Sequence, residues 1–370
     1  MSDERSEIIR SRYGRMLGDF VVGATYEHPW EVTLSDGMVA LFEASFLDAM
    51  PTFTSAPLAR LAGFADRPLH PNLCLNLALS FSVHDVSEQA IAHLAYLDVR
   101  YPEPGYAGDT VRARSTVLGV KPASSGDRGV VHVRTVLTNE QGRVLCAFER
   151  KALIRGGQVQ GRPADPPLPE RVINPELSSL ERLAPSLRHA ANWAAGAPRF
   201  ARVGGDFEVG QIYLHEFGKT IGESEHMQLT SLVRNSHPLH FDDVYCKDSS
   251  FTKARVVYGG LVLGWTLALG SRDVAGNALW DLGLSDGAHP NGTAAGDTIY
   301  AASRVIAVED RDSHVAVTLR IVGIKNRTAL SAYETHGDAL FADELGKKDA
   351  GTKIVEKVVE VTRTLAVRKR

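Results

Sequence analysis

Two short motifs recur along the chain in the same order and at nearly the same spacing, and this repetition limits what the chain can fold into. Gly18-Asp19-Phe20-Val21-Val22-Gly23 returns as Gly205-Asp206-Phe207-Glu208-Val209-Gly210, an offset of 205 − 18 = 187. Ala107-Gly108-Asp109-Thr110-Val111 returns as Ala295-Gly296-Asp297-Thr298-Ile299, an offset of 296 − 108 = 188. One Gly-Asp match arises by chance, but two in register mark a duplicated unit, so the 370 residues are read as two similar halves.

Between its two markers each half holds one strongly apolar segment, Leu69–Val83 and Val256–Ser271. In neither do the apolar residues keep to one face, the pattern of a helix surrounded by protein. Period-two, β-branched segments follow: 92–99, 111–117, 130–137 and 144–154 in the first half, then 298–305, 314–322, 329–336 and 354–361 in the second. These read as antiparallel strands, so one buried helix followed by a meander, done twice, predicts an α+β protein.

The domain reading is residues 1–157, a connecting stretch 158–200, and 201–370. The connection, GGQVQGRPADPPLPERVINPE and onward, is rich in Pro and Gly and lacks periodicity, with a short helix expected over Leu177–Ala195. The ending Arg368-Lys369-Arg370 reads as a solvated tail. With 41 basic against 44 acidic residues, no global field favours nucleic acid or an anionic membrane. Val256–Leu269 is too short and too glycine-rich for a membrane span. The charged start MSDERSEIIRSRYGRM has no apolar signal core, and Cys74, Cys146 and Cys246 lack paired spacing, so reduced core thiols and a cytoplasmic location are expected.

The chemistry-bearing stretch is Arg234-Asn235-Ser236-His237-Pro238-Leu239-His240-Phe241-Asp242-Asp243, followed by Arg255-Val256-Val257-Tyr258-Gly259-Gly260 at the start of the second apolar helix. An imidazole such as His240 exchanges protons near neutrality. Gly259 and Gly260 place unobstructed N–H groups at a helix N-terminus, where a carbonyl oxygen gaining negative charge is bound. Together these parts suit addition of water across an activated double bond. Taken singly they are ordinary: His240 is a common core residue, Asn235 a helix cap, and Asp242 and Asp243 turn residues.

The Asn-x4-His spacing with Pro-Leu-His-Phe-Asp, then Tyr-Gly-Gly, then Ala-Gly-Asp-Thr-Ile-Tyr resembles the MaoC-like hotdog hydratases. Within them it is most similar to the double-hotdog mesaconyl-CoA hydratases, also called β-methylmalyl-CoA dehydratases. The resemblance implies a double hotdog with two antiparallel sheets, each wrapped around a central apolar helix, acting reversibly on a 2-enoyl-CoA. The R-specific hydratase signature Asp-x-Asn-Pro-x-His-x-Asp is altered here: Asn235 stands for its Asp and His237 for its Asn. An amide is no base, so Asn235 orients water or the ring, and the proton transfer falls on His240.

The resemblance further implies that Gly260 N–H polarises the thioester, that His237 or Asp242 supports the site, and that no metal or redox cofactor is required. A mesaconyl group carries an extra carboxylate, for which Arg234, Arg255 and His289 are candidates, His289 ahead of the arginines. The expected partner is an acyl-CoA, and a homodimer is possible. At the corresponding place in the first half, Ser45–Phe53 holds no His, and Leu69-His70-Pro71-Asn72 replaces the glycines with a residue lacking an N–H. Asp48 and His70 lack the matching spacing, so the first half is read as ligand-holding. Other readings are an R-specific hydratase of another short acyl group, a hotdog thioesterase and a non-catalytic acyl-CoA binder. Residues 259–272 contain no Asp or Glu, which counts against the thioesterase.

Overall fold

The computed structural model describes residues 13–156, 202–250, 252–344, 347 and 352–369. The connecting stretch and its expected helix therefore lie outside the described residues. The strands are β1 (Thr25–Thr33), β2 (Ala90–Arg100), β3 (Thr110–Pro122), β4 (Arg128–Asn139) and β5 (Val144–Arg155), then β6 (Ile212–Leu214), β7 (Lys219–Thr220), β8 (Ala278–Ala288), β9 (Thr298–Asp310), β10 (Val315–Lys325) and β11 (Lys357–Val367). They form one 11-stranded sheet ordered β1-β3-β4-β5-β2-β8-β11-β10-β9-β6, with β7 also on β9. The two halves of that order mirror each other, as a duplication requires. The halves' sheets do not stay separate. β2 and β8 would be open edges in isolated halves, and they join through a short antiparallel ladder with Tyr96 opposite Gly287, Asp98 opposite Ser285 and Val99 opposite Leu284.

Each half wraps its sheet around one helix. The first core helix, Pro71–Phe81, buries every residue it has, and the second, Gly259–Val274, buries nearly all of its own. Burying a leucine such as Leu73, Leu75 or Leu77 contributes about 1.5–3 kcal/mol, so this pair anchors the core. The helices cross closely because Asn72 and Asn76 of the first lie on Gly264 and Gly260 of the second: a Cβ on either glycine would fall on the facing amide. The first helix starts two residues later than its apolar run, since Pro71 holds its first position and the residue before a proline stays extended.

The duplication extends to a histidine-centred relay. His28 bonds Asp85 through Nδ1 at 2.9 Å and Ser115 through Nε2 at 2.7 Å. His215 bonds Asp273 at 2.6 Å and Ser303 at 2.9 Å in the same way, at offsets of 187, 188 and 188. Both serines are fully buried, so no substrate reaches them and the relays tie each core-helix end to its sheet.

Residues 329–336, expected as a strand, form the helix Ala329–His336. Thr328 caps it, accepting from the Ser331 N–H, and its buried Ala329 and Ala332 recur at helical spacing. β11 completes the meander instead. Four strands escaped the sequence reading: β1, the short β6 and β7, and the seam strand β8, where Asp281, Gly283 and Gly287 interrupt the apolar pattern. The three cysteines are free and buried. Among the described residues no helix is long and apolar enough to cross a membrane.

Candidate active site

A cavity of about 120 Å³ opens at the seam, bounded on one side by Asn235, His237, His240, Tyr258, Gly259, Gly260 and His289 of the second half. The other side comes from the first half, including His93, Tyr96 and Arg150.

A chain of local bonds positions the histidines. The helix Glu223–Leu232 ends at Val233, and Arg234 turns the chain with a left-handed φ of 64°. Asn235 Oδ1 then accepts from the His237 N–H at 3.0 Å, and His237 Nδ1 accepts from the Leu239 N–H at 3.1 Å. Asp242 stops the turn by capping the next helix, accepting from the Tyr245 N–H at 2.9 Å. His240 Nδ1 lies 2.7 Å from the Val256 carbonyl oxygen, which only accepts. The Nδ1–H tautomer is thereby selected and Nε2 keeps its lone pair. Burial first, then His237, pulls the His240 imidazole down to about 3, against the pull of the Val256 bond, so the ring is neutral at physiological pH.

Gly259 and Gly260 are the first two residues of the second core helix, and neither N–H has an acceptor among the described residues. Both must be glycine. A Cβ on Gly259 would stand 2.8 Å from His289 Nε2, and one on Gly260 would stand 2.6 Å from the Tyr258 hydroxyl. Asn76, reaching over from the first half, donates to the Gly260 carbonyl at 3.3 Å and holds this peptide in place. Burial pushes the Tyr258 phenol well above its ordinary value, so it stays protonated; it also bonds the Asn235 side chain. His289 Nδ1 donates to the Val358 carbonyl at 3.2 Å, its Nε2 faces the Tyr96 hydroxyl at 3.4 Å, and burial pulls the ring down to about 4.

Arg234 and Arg255 do not line this cavity. Arg255 pairs with Glu223, and Arg234 lies 5.8 Å from the Trp30 ring centre. The cation that does line it, Arg150, went unnoticed in the sequence. Its signal was parity: Arg150 falls on the same strand face as the buried Phe148 and Ala152.

The first half retains the frame of the site. Leu47, with φ 57°, matches Arg234 at an offset of 187, so Asp48 matches Asn235 and Phe53 matches His240. Asp48 accepts from the N–H two residues on, as Asn235 does. The sequence spacing had set Asp48 and His70 apart, yet the fold brings His70 Nε2 to 3.3 Å from Asp48 Oδ2. Their cavity measures only about 20 Å³, and the Asn72 N–H, equivalent to that of Gly260, is taken by His70 Nδ1 at 3.0 Å. That pocket has little room, and the backbone N–H that matches the one at Gly260 is already engaged.

Residues 4–329 match the family described as Mesaconyl-CoA hydratase. A mesaconyl-CoA hydratase from Cereibacter sphaeroides is 33% identical over 325 residues, 86% of this chain and 92% of that protein. This chain belongs to the mesaconyl-CoA hydratase family. A family member named beta-methylmalyl-CoA dehydratase, from Chloroflexus aurantiacus, is 32% identical over 321 residues, 85% of this chain and 89% of its own. The fold of this family member is also that of a solved putative MaoC domain protein dehydratase from Chloroflexus aurantiacus, with TM-score 0.80, 27% identity, and coverage of 98% of this chain and 100% of that one. A Mycobacterium tuberculosis protein described as having a double hotdog fold superposes with TM-score 0.71 at 19% identity, covering 95% and 98%. The double hotdog expected from the motifs is thus the fold observed, its two sheets joined at the seam.

Proposed function

We propose that the chain catalyses reversible hydration of a 2-enoyl-CoA thioester, with mesaconyl-CoA and β-methylmalyl-CoA as the physiological pair. The observation that carries this reading is a neutral imidazole, His240, lining the same cavity as two unengaged N–H groups at a helix mouth. The thioester oxygen accepts from the Gly260 N–H, with Gly259 beside it. His240 Nε2 takes a proton from water while the oxygen bonds to the β-carbon, and the electron pair passes to the thioester oxygen as an enolate. His240 Nε2 then gives that proton to the α-carbon as the enolate collapses back to the thioester, which completes the addition and restores the neutral ring. Asn235 is given the task of orienting the water and His240, with His237 supporting the turn.

The names of the relatives favour the mesaconyl pair over another short acyl group. No carboxylate side chain lines the cavity among the described residues, which disfavours thioester hydrolysis through an acidic residue. Free, buried cysteines fit a reducing compartment, so the cytoplasm is the proposed location. The test is loss of enoyl-thioester absorbance with mesaconyl-CoA and with crotonyl-CoA. Hydration of mesaconyl-CoA at the higher kcat/KM is expected, and release of free CoA without hydration would overturn the reading.

A further inference from the structure

Each half of the repeat carries one buried arginine on its last strand. Arg150 of β5 pairs opposite Tyr96 of β2, and Arg363 of β11 pairs opposite Leu284 of β8. Because 96 + 188 = 284, the two arginines occupy equivalent places. They are 2% and 0% exposed.

Their counter-ions differ. Arg363 Nε donates to Asp281 Oδ2 at 2.8 Å, a carboxylate from within the chain. The residue equivalent to Asp281 is His93, since 281 − 188 = 93, and the strand pairing agrees: His93 faces Ala152, two on from Arg150, as Asp281 faces Leu365, two on from Arg363. Burial first, and Arg150 next, hold the His93 imidazole well below its ordinary value, so it is neutral. Arg150 keeps its charge at neutral pH although burial lowers it to about 10.

What Arg150 touches is also neutral. Its Nη2 donates to Ser82 Oγ at 2.7 Å and Ser87 Oγ at 3.2 Å, while its Nε is buried without a partner. A guanidinium withheld from water without an anion is costly to hold. It lines the same cavity as His240, and the other arginine shows what this position of the fold accepts.

We propose that Arg150 is the seat of the acyl group's distal carboxylate: the substrate supplies to Arg150 the acid that Asp281 supplies to Arg363. The assignment rests on the acyl-CoA reading above and sets its selectivity. A dicarboxylic acyl group neutralises the guanidinium, whereas a neutral one leaves it buried and unpaired. His289, neutral in the same cavity, lacks the charge for this task.

The test is calorimetric binding of freshly prepared succinyl-CoA and butyryl-CoA, saturated thioesters of equal chain length that cannot be hydrated and that differ by the terminal carboxylate. The wild type is expected to bind succinyl-CoA about 100-fold more tightly, and Arg150→Met to erase that preference. His93→Asp, which keeps the arginine and installs the other half's carboxylate, is expected to erase it too and stands in should Arg150→Met fail to fold. Equal affinity of the wild type for both ligands, or a preference that survives in either variant, would overturn the assignment. Binding requires no turnover, so the two readings fail separately. A chain that hydrates mesaconyl-CoA without the succinyl preference loses only the Arg150 seat. One that shows the preference through Arg150 and hydrates nothing loses only the reaction.

Discussion

The Val256 carbonyl oxygen, 2.7 Å from His240 Nδ1, decides which nitrogen of that ring is available to act. A ring fixed in this way and held near about 3 by burial has no imidazole titration close to neutrality. The pH profile of kcat/KM for hydration is therefore expected to be flat between about pH 6 and 8, with no acid limb at the ordinary histidine value of about 6.5. A limb centred near 6.5 would show that the ring is solvated and differently bonded.

Asn235→Asp tests the same ring from the other side. The carboxylate oxygen still accepts from the His237 N–H, so the turn is retained. A negative charge in the cavity favours the imidazolium and raises the His240 value. The acid limb of kcat/KM is expected to move toward neutrality in this variant, while His240→Ala lowers kcat by about 10²–10⁴. A pH profile unchanged by the aspartate would place residue 235 outside the electrostatic reach of the base.

Local pattern made much of this legible. The two glycines, the Asn-x4-His spacing and the repeat lie in short sequence windows, and the fold uses them together. Contacts between the halves were hidden, because they depend on the seam. Arg150 sits in Glu149-Arg150-Lys151, which looks like a solvated run until strand parity places it inside. Asp48 and His70 are distant in sequence and meet only when Pro71 starts the first core helix beneath the Asp48 turn. Ala329–His336 alternates enough to pass for a strand, and its Thr328 cap decides the matter.

Gly260→Ala is expected to combine two losses. The added methyl meets the Asn76 amide and the Tyr258 ring, which costs about 1–3 kcal/mol of stability by overpacking. It also displaces the N–H proposed to hold the thioester oxygen, lowering kcat by about 10²–10³. A thermal melt and a steady-state assay on the one variant separate the effects. A stable protein with full kcat would show that this N–H does not meet the reacting oxygen.

Four histidines line the cavity, His93, His237, His240 and His289, and burial lowers all four, His237 to about 4. In the unfolded chain each takes up a proton near pH 6.5, whereas in the folded protein each stays neutral to lower pH. The unfolded state thus binds more protons below about 6.5, and the stability these groups contribute is complete above that value. It is lost as pH falls through 6.5 toward their folded values, at up to about 1.4 kcal/mol per pH unit for each ring. Carboxylates lowered by their partners titrate below about 4.5, but burial raises Glu88 and Asp281 and lowers His226 and His314 as well, so the share of one cavity histidine is read as the difference between wild type and variant across the window from pH 7 to 5. Urea midpoints measured across it are expected to fall steadily. Replacing His289 by Gln, which keeps a donor for the Val358 carbonyl, should make the fall shallower. An unchanged slope in that variant would mean the ring is protonated in the folded protein, and its neutral role beside Tyr96 would be withdrawn.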